Sequence, residues 1–135
     1  MHHSEIEILN SFMIKANVDS TYQMALMNPG LNLENSVETF TFRINSNDLD
    51  WVGVGVCYKN IVGKNNYLFN FNEFGHGCYM ISGNAGVWSH SDPDFNNVVK
   101  AFTFKPGDSI TCTVSKNKIC FFKNSPPEFE EALQY

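Results

Sequence analysis

Trp88-Ser-His-Ser-Asp-Pro-Asp94 gathers an indole, an imidazole and two carboxylates within one short segment rich in loop-forming residues. A metal is the first chemistry to weigh. Calcium loops need several oxygen ligands and a specifically placed glycine, and this segment supplies only two carboxylates around His90. Hydrolysis is the second. The pairs Asp48/Asp50 and Asp92/Asp94 each project to one side of an extended chain, which suits glycosidase work only inside a cleft. The chain has no Gly-x-Ser-x-Gly elbow, no Walker loop and no His-Glu-x-x-His pair. Gly53-Val-Gly55 reads as strand with no helix after it, so it is no phosphate loop. A non-catalytic protein without a cofactor or metal is expected. Trp88 and His90 are left as candidates for an exposed partner-binding edge. The structural alternative is that Trp88 tucks under the loop while Asp92 and Asp94 cap turns.

The four cysteines, Cys57, Cys78, Cys112 and Cys120, include no Cys-x-x-Cys pair and no His at a ligand-like offset. Cys57, Cys112 and Cys120 fall in expected strands, where a free thiol behaves as a small buried hydrophobe; their number alone leaves two disulfides open. The sequence carries no membrane-spanning apolar run and no Asn-x-Ser/Thr sequon, and no signal peptide is expected. A cytoplasmic protein with reduced thiols is expected. The formal net charge is −5, with only 9 Lys and Arg together, so neither nucleic acid nor an anionic membrane is an expected partner.

These groups need a scaffold, and the scaffold reads as β throughout. With 135 residues, 43% of them hydrophobic, the chain suits one domain with a packed core, taken as 5–135 with 1–4 set aside as a tag remnant. Phe40, Phe42 and Ile44 alternate with Thr39, Thr41 and Arg43. Val52, Val54, Val56 and Tyr58 share one face of the next strand, with Gly53 and Gly55 on the other, implying that something large packs closely there. Tyr67, Phe69 and Phe71 form a further alternation, Cys78 to Ile81 a short strand, and Ser82 to Asn97 a long loop. Pro106-Gly107-Asp108 is a turn; Ile110, Cys112 and Val114 alternate with threonines, and 119–122 returns as the second arm of a hairpin. Ser125-Pro-Pro-Glu-Phe-Glu-Glu offers a capping serine, early prolines and early acids, which predicts a short C-terminal helix. About nine short strands with regular turns mean an all-β antiparallel β-sandwich.

The Gly107-Asp108-Ser-Ile110 turn, its hairpin and the ending Phe121-Phe-Lys-Asn124 resemble the C-terminal signature of SPRY domains. Phe40-Thr-Phe-Arg-Ile44, Trp51-Val-Gly-Val-Gly-Val56 and Gly77-Cys-Tyr-Met-Ile81 resemble, in order, the strands that precede that hairpin in the family. The match covers roughly residues 20–124, and it is to the plain form without the butyrophilin-type N-terminal segment. Two features depart from it: Asn124-Ser125 stands where the family has Asn-Gly, and the helical ending stands where the family continues in strands.

The resemblance implies a bent sandwich of two antiparallel sheets whose edge loops bind a peptide or protein partner. It implies a monomeric domain of a larger intracellular chain, such as the substrate-recognition part of a ubiquitin ligase. Carried over by position, the family's peptide pocket falls on Asp48, Leu49, Asp50 and Tyr67, and the Trp88 and His90 segment stands as a separate candidate. The structural alternative is that Tyr67 packs in the core and Asp48 and Asp50 make turns. The rival function is a carbohydrate-binding module, which would stack a sugar on Trp51 or Trp88.

Overall fold

The computed structural model describes residues 1–17, 22–27, 30–34, 36–45, 51–70, 74–97, 100–123 and 129–134. Over these residues the chain is all-β, in three antiparallel sheets. Strands β1 (Ile6–Asn10) and β2 (Met13–Ala16) form a hairpin. Strands β3 (Glu38–Arg43), β8 (Ser109–Ser115), β9 (Lys118–Lys123) and β10 (Phe129–Gln134) form a sheet in the order β10-β9-β8-β3. Strands β4 (Gly53–Cys57), β5 (Cys78–Ser82), β6 (Asn84–Ser89) and β7 (Lys100–Thr103) form a second sheet in sequence order. The helical parts are α1 (Lys59–Lys64) and a short 3-10 turn, Pro93–Phe95.

Period-two patterning decides which faces are buried. In β8, Ile110, Cys112 and Val114 are buried while Ser109, Thr111, Thr113 and Ser115 are half-exposed. The opposite face is polar, with Thr39 hydrogen-bonded to Thr113 at 3.1 Å and Thr41 to Thr111 at 2.9 Å. The buried face of β8 joins Ile119 and Phe121 of β9 in a cluster that also takes in Val54, Tyr79, Ile81, Val87 and Phe102 of the other sheet. Burying each large apolar side chain contributes roughly 1.5–3 kcal/mol.

The β4-β5-β6 surface is covered on its second face as well. Val62 of α1, Phe69, Cys78, Met80 and Trp88 form a second cluster, flanked by Met24, Leu26, Trp51, Cys57 and Tyr67. Strand β5 is therefore buried along its whole length, which is why Cys78-Tyr-Met-Ile81 carries almost no polar group. The two glycines of β4 face this second cluster. A Cβ on Gly53 would meet the Trp51 ring at 2.8 Å, so the expected close approach is present.

Several expectations need correction. The C-terminal helix is absent over 129–134, where β10 pairs in continuous register with β9, Phe129 opposite Lys123 and Gln134 opposite Lys118. Local capping signals lose here because the outer edge of β9 offers a full row of backbone partners. Residues 125–128, where the cap signals lie, fall outside the described residues. The loop expected over 82–97 contains β6, whose Ala85 to Ser89 are all buried. Tyr67 to Phe71 is not a strand: residues 65–67 turn, Leu68 makes a single bridge to Gln23, and Phe71 lies outside the described residues. Helix α1 does follow the Gly53-Val-Gly55 strand, but both glycines are inside β4, so no phosphate loop results.

Candidate functional site

Six side chains enclose a cleft of about 190 Å³: Tyr22, Trp51, Phe69, Asn84, Trp88 and Asn97. Trp88 projects from β6 and Trp51 stands just before β4, so two strands of one sheet set the indoles. The Trp51 and Trp88 rings meet edge-on at 6.4 Å, and Trp51 stacks on Phe69 at 6.1 Å with an interplanar angle of 12°. Tyr22 closes one side, edge-on to Trp51 at 4.9 Å. It is 39% exposed, whereas Trp88 is 5% exposed, so Tyr22 forms the rim and Trp88 the floor. Trp88 Nε1 donates to Ser82 Oγ at 3.2 Å, and Ser82 Oγ donates to Asn84 Oδ1 at 2.6 Å. This relay fixes the floor indole and orients one amide of the lining.

Among the described residues, no charged side chain lines this cleft. Aromatic faces and two amides suit an uncharged ligand group with a flat apolar side and hydrogen-bonding edges. A wider hollow of about 640 Å³, lined by Leu31, Asn32, Leu33, Glu34 and Lys116, lacks such converging rings.

A second cluster adjoins the cleft through Phe69, whose ring meets His76 edge-on at 5.0 Å. His76 Nδ1 accepts from Cys78 N at 3.1 Å, which leaves Nε2 to donate to Asn96 Oδ1 at 3.2 Å. Burial holds the His76 imidazole below its ordinary value, and His90 nearby works in the same direction against the Asn96 and Ser89 hydrogen bonds. His90 Nδ1 accepts from Gly77 N at 2.9 Å, and its ring meets Tyr58 at 5.2 Å and Tyr79 at 6.1 Å. Burial also raises the Tyr79 phenol. The two imidazoles thus hold consecutive backbone amides at the entry to β5.

Trp88 lies in a strand as the cleft floor, not in an exposed loop. His90 follows β6 and belongs to the histidine-tyrosine cluster. Tyr67 sits at the end of a turn with φ +58°, half-buried against the second cluster, and does not line the cleft. Asp48, Leu49 and Asp50 lie outside the described residues. Asp92 caps the 3-10 turn by accepting from Asp94 N at 3.0 Å, in line with the turn-capping reading. Tyr22, Phe69, Asn84 and Asn97 escaped sequence reasoning. Gly53 and Gly55, opening one face of β4 to large rings, were the available signal for an aromatic site; nothing marked the two asparagines.

Among the described residues no three His, Cys, Asp or Glu side chains converge as a metal centre requires, and no helix is long and apolar enough to cross a membrane. Compared with known proteins, the chain matches no family model, no curated protein and no solved structure.

Proposed function

We propose that the two four-stranded sheets form a bent SPRY-type sandwich and that the chain is a non-catalytic recognition module for a peptide or protein partner. The observation that carries this reading is the aromatic cleft of Tyr22, Trp51, Phe69 and Trp88, floored by β6, edged by Asn84 and Asn97 and free of charge among the described residues. Rigid rings supply contact area at low entropic cost, and the amides can pair with the backbone of an extended segment. Strand β10 supports the family reading too, since it continues the sheet past β9 where a helix would have departed from the family pattern. The domain is read as part of an intracellular protein, in a reducing compartment where its four cysteines rest as thiols.

The same rings and amides favour a second reading, in which Tyr22 and Trp51 stack on a sugar. A peptide-display screen run beside a glycan array separates the two. Peptide ligands are expected, and Tyr22→Ala should weaken them about tenfold or more; the ring also packs edge-on to Trp51, so the variant is read at a temperature where circular dichroism shows it folded. Binding confined to glycans would replace the peptide reading. Exchange of residues 45–50 and Tyr67→Ala test the positions that the resemblance adds; captured partners unchanged in both would remove them from the site.

A further inference from the structure

Cys57 and Cys78 lie directly opposite one another in the β4–β5 ladder. The hydrogen bonds around them fix which kind of pair this is. Gly83 N donates to Val52 O and Tyr58 N donates to Gly77 O, each at 2.8 Å, and both bonds lie on the same register as Cys57 and Cys78. Hydrogen-bonded and non-hydrogen-bonded pairs alternate along an antiparallel ladder, so even-numbered β4 residues are hydrogen-bonded and Cys57 is not. In such pairs the Cα atoms approach to about 4.5 Å and the side chains are closest. That separation falls in the range of roughly 4.4–6.8 Å that a disulfide spans. Both thiols pack in the same cluster on the same face of the sheet.

We propose that Cys57 and Cys78 are a disulfide-forming pair, closed by exchange with a small-molecule disulfide such as glutathione disulfide. The Cys57 thiolate attacks one glutathione sulfur, forming a mixed disulfide and expelling one glutathione thiolate. The Cys78 thiol then loses its proton and attacks the Cys57 sulfur, expelling the second glutathione. Overall, two protein thiols are oxidised to one disulfide while glutathione disulfide is reduced to two thiols. Cys57 is the entry point because it is half-buried, whereas Cys78 is 1% exposed. Burial pushes the Cys57 thiol up to about 11 and raises Cys78 further, so the exchange is slow at neutral pH.

The other two cysteines provide an internal contrast. Cys112 faces Phe121 across the β8–β9 ladder and Cys120 faces Thr113. They are therefore one step out of register and point to opposite faces of their sheet, Cys112 into the core between the sheets.

Trypsin places the four cysteines on separate peptides: residues 44–59, 65–100, 101–116 and 119–123. The full chain is incubated with glutathione disulfide, remaining thiols are alkylated, and the digest is read by mass spectrometry. The expected product is a 44–59 to 65–100 link, with the intact chain lighter by about 2 Da. Cys78→Ser should instead retain glutathione on Cys57, and Cys112→Ser should leave the link unchanged. A link through Cys112 or Cys120, stable glutathione on Cys57 of the unaltered chain, or no oxidation at all would each overturn the proposal.

Discussion

Gly55 lies opposite Met80 in the β4–β5 register, and a Cβ built on it falls 2.6 Å from the Met80 Cα and against the Tyr79 carbonyl oxygen. Backbone cannot step aside as a flexible side chain can, so Gly55→Val is expected to cost about 3 kcal/mol or more, read as a lowered urea midpoint. His76 predicts a pH dependence. Its folded pKa is held below the unfolded value of about 6.5, so the unfolded chain binds the proton first. Its share of stability is fully present above that value. It shrinks as pH falls below about 6.5, by at most about 1.4 kcal/mol per pH unit, and the loss levels off at the lower folded pKa. Equilibrium unfolding from pH 8 to 5 should show this slope, and His76→Gln should flatten it. At this scale the sequence was legible in part. Trp88 stood out because a lone indole among small polar residues needs an explanation. Its burial did not stand out, because the Gly, Ser and Asn around it look like loop while Gly86 and Ser89 are in fact packed inside a strand.

Strands β3 and β8 could be read from sequence because one face of each is apolar and the other polar, β4 from its valines alternating with glycines, and β9 from a short apolar run bounded by turn signals. Strand β10 could not, since its partner edge is supplied by β9 and nothing in Phe129 to Gln134 alternates cleanly. Removing residues 124–135 should therefore leave β9 as an unpaired edge. We expect a lower unfolding midpoint and increased self-association by light scattering. The turn that leads into β8 is held by Asp108, which accepts from Lys105 N at 2.9 Å and pairs with Lys123 at 3.4 Å. Its own carbonyl accepts from Ile44 N, and Gly107 N donates to Ile44 O, so the turn also ties the end of β3 to the hairpin. Asp108→Ala is expected to cost about 1–2 kcal/mol, measured by chemical denaturation. The Gly-Asp signature is thus a structural fastening between strands distant in sequence.

The two core clusters share the β4-β5-β6 surface between them, with Tyr79 and Ile81 on one side and Cys78 and Met80 on the other. Such an arrangement should unfold as one unit. Phe121→Ala, at a fully buried site remote from both tryptophan side chains, is expected to cost about 3–5 kcal/mol. Indole fluorescence and far-UV circular dichroism should still move together in that variant. Separate transitions would show that the sheets are not one cooperative body. The order of the strands also has a consequence in time. Strands β4 to β7 are neighbours in sequence and can pair as they leave the ribosome. Strand β3 emerges before all of them, yet its partner is β8, and the Thr41–Thr111 contact spans 70 residues. At about 5–20 residues per second, β3 must wait roughly 4–14 s for that partner to be made. During that interval an amphipathic strand bearing Phe40 and Phe42 has both edges open, so a chaperone that shields it has its longest opportunity there, before the rest of the fold has a second sheet to close upon.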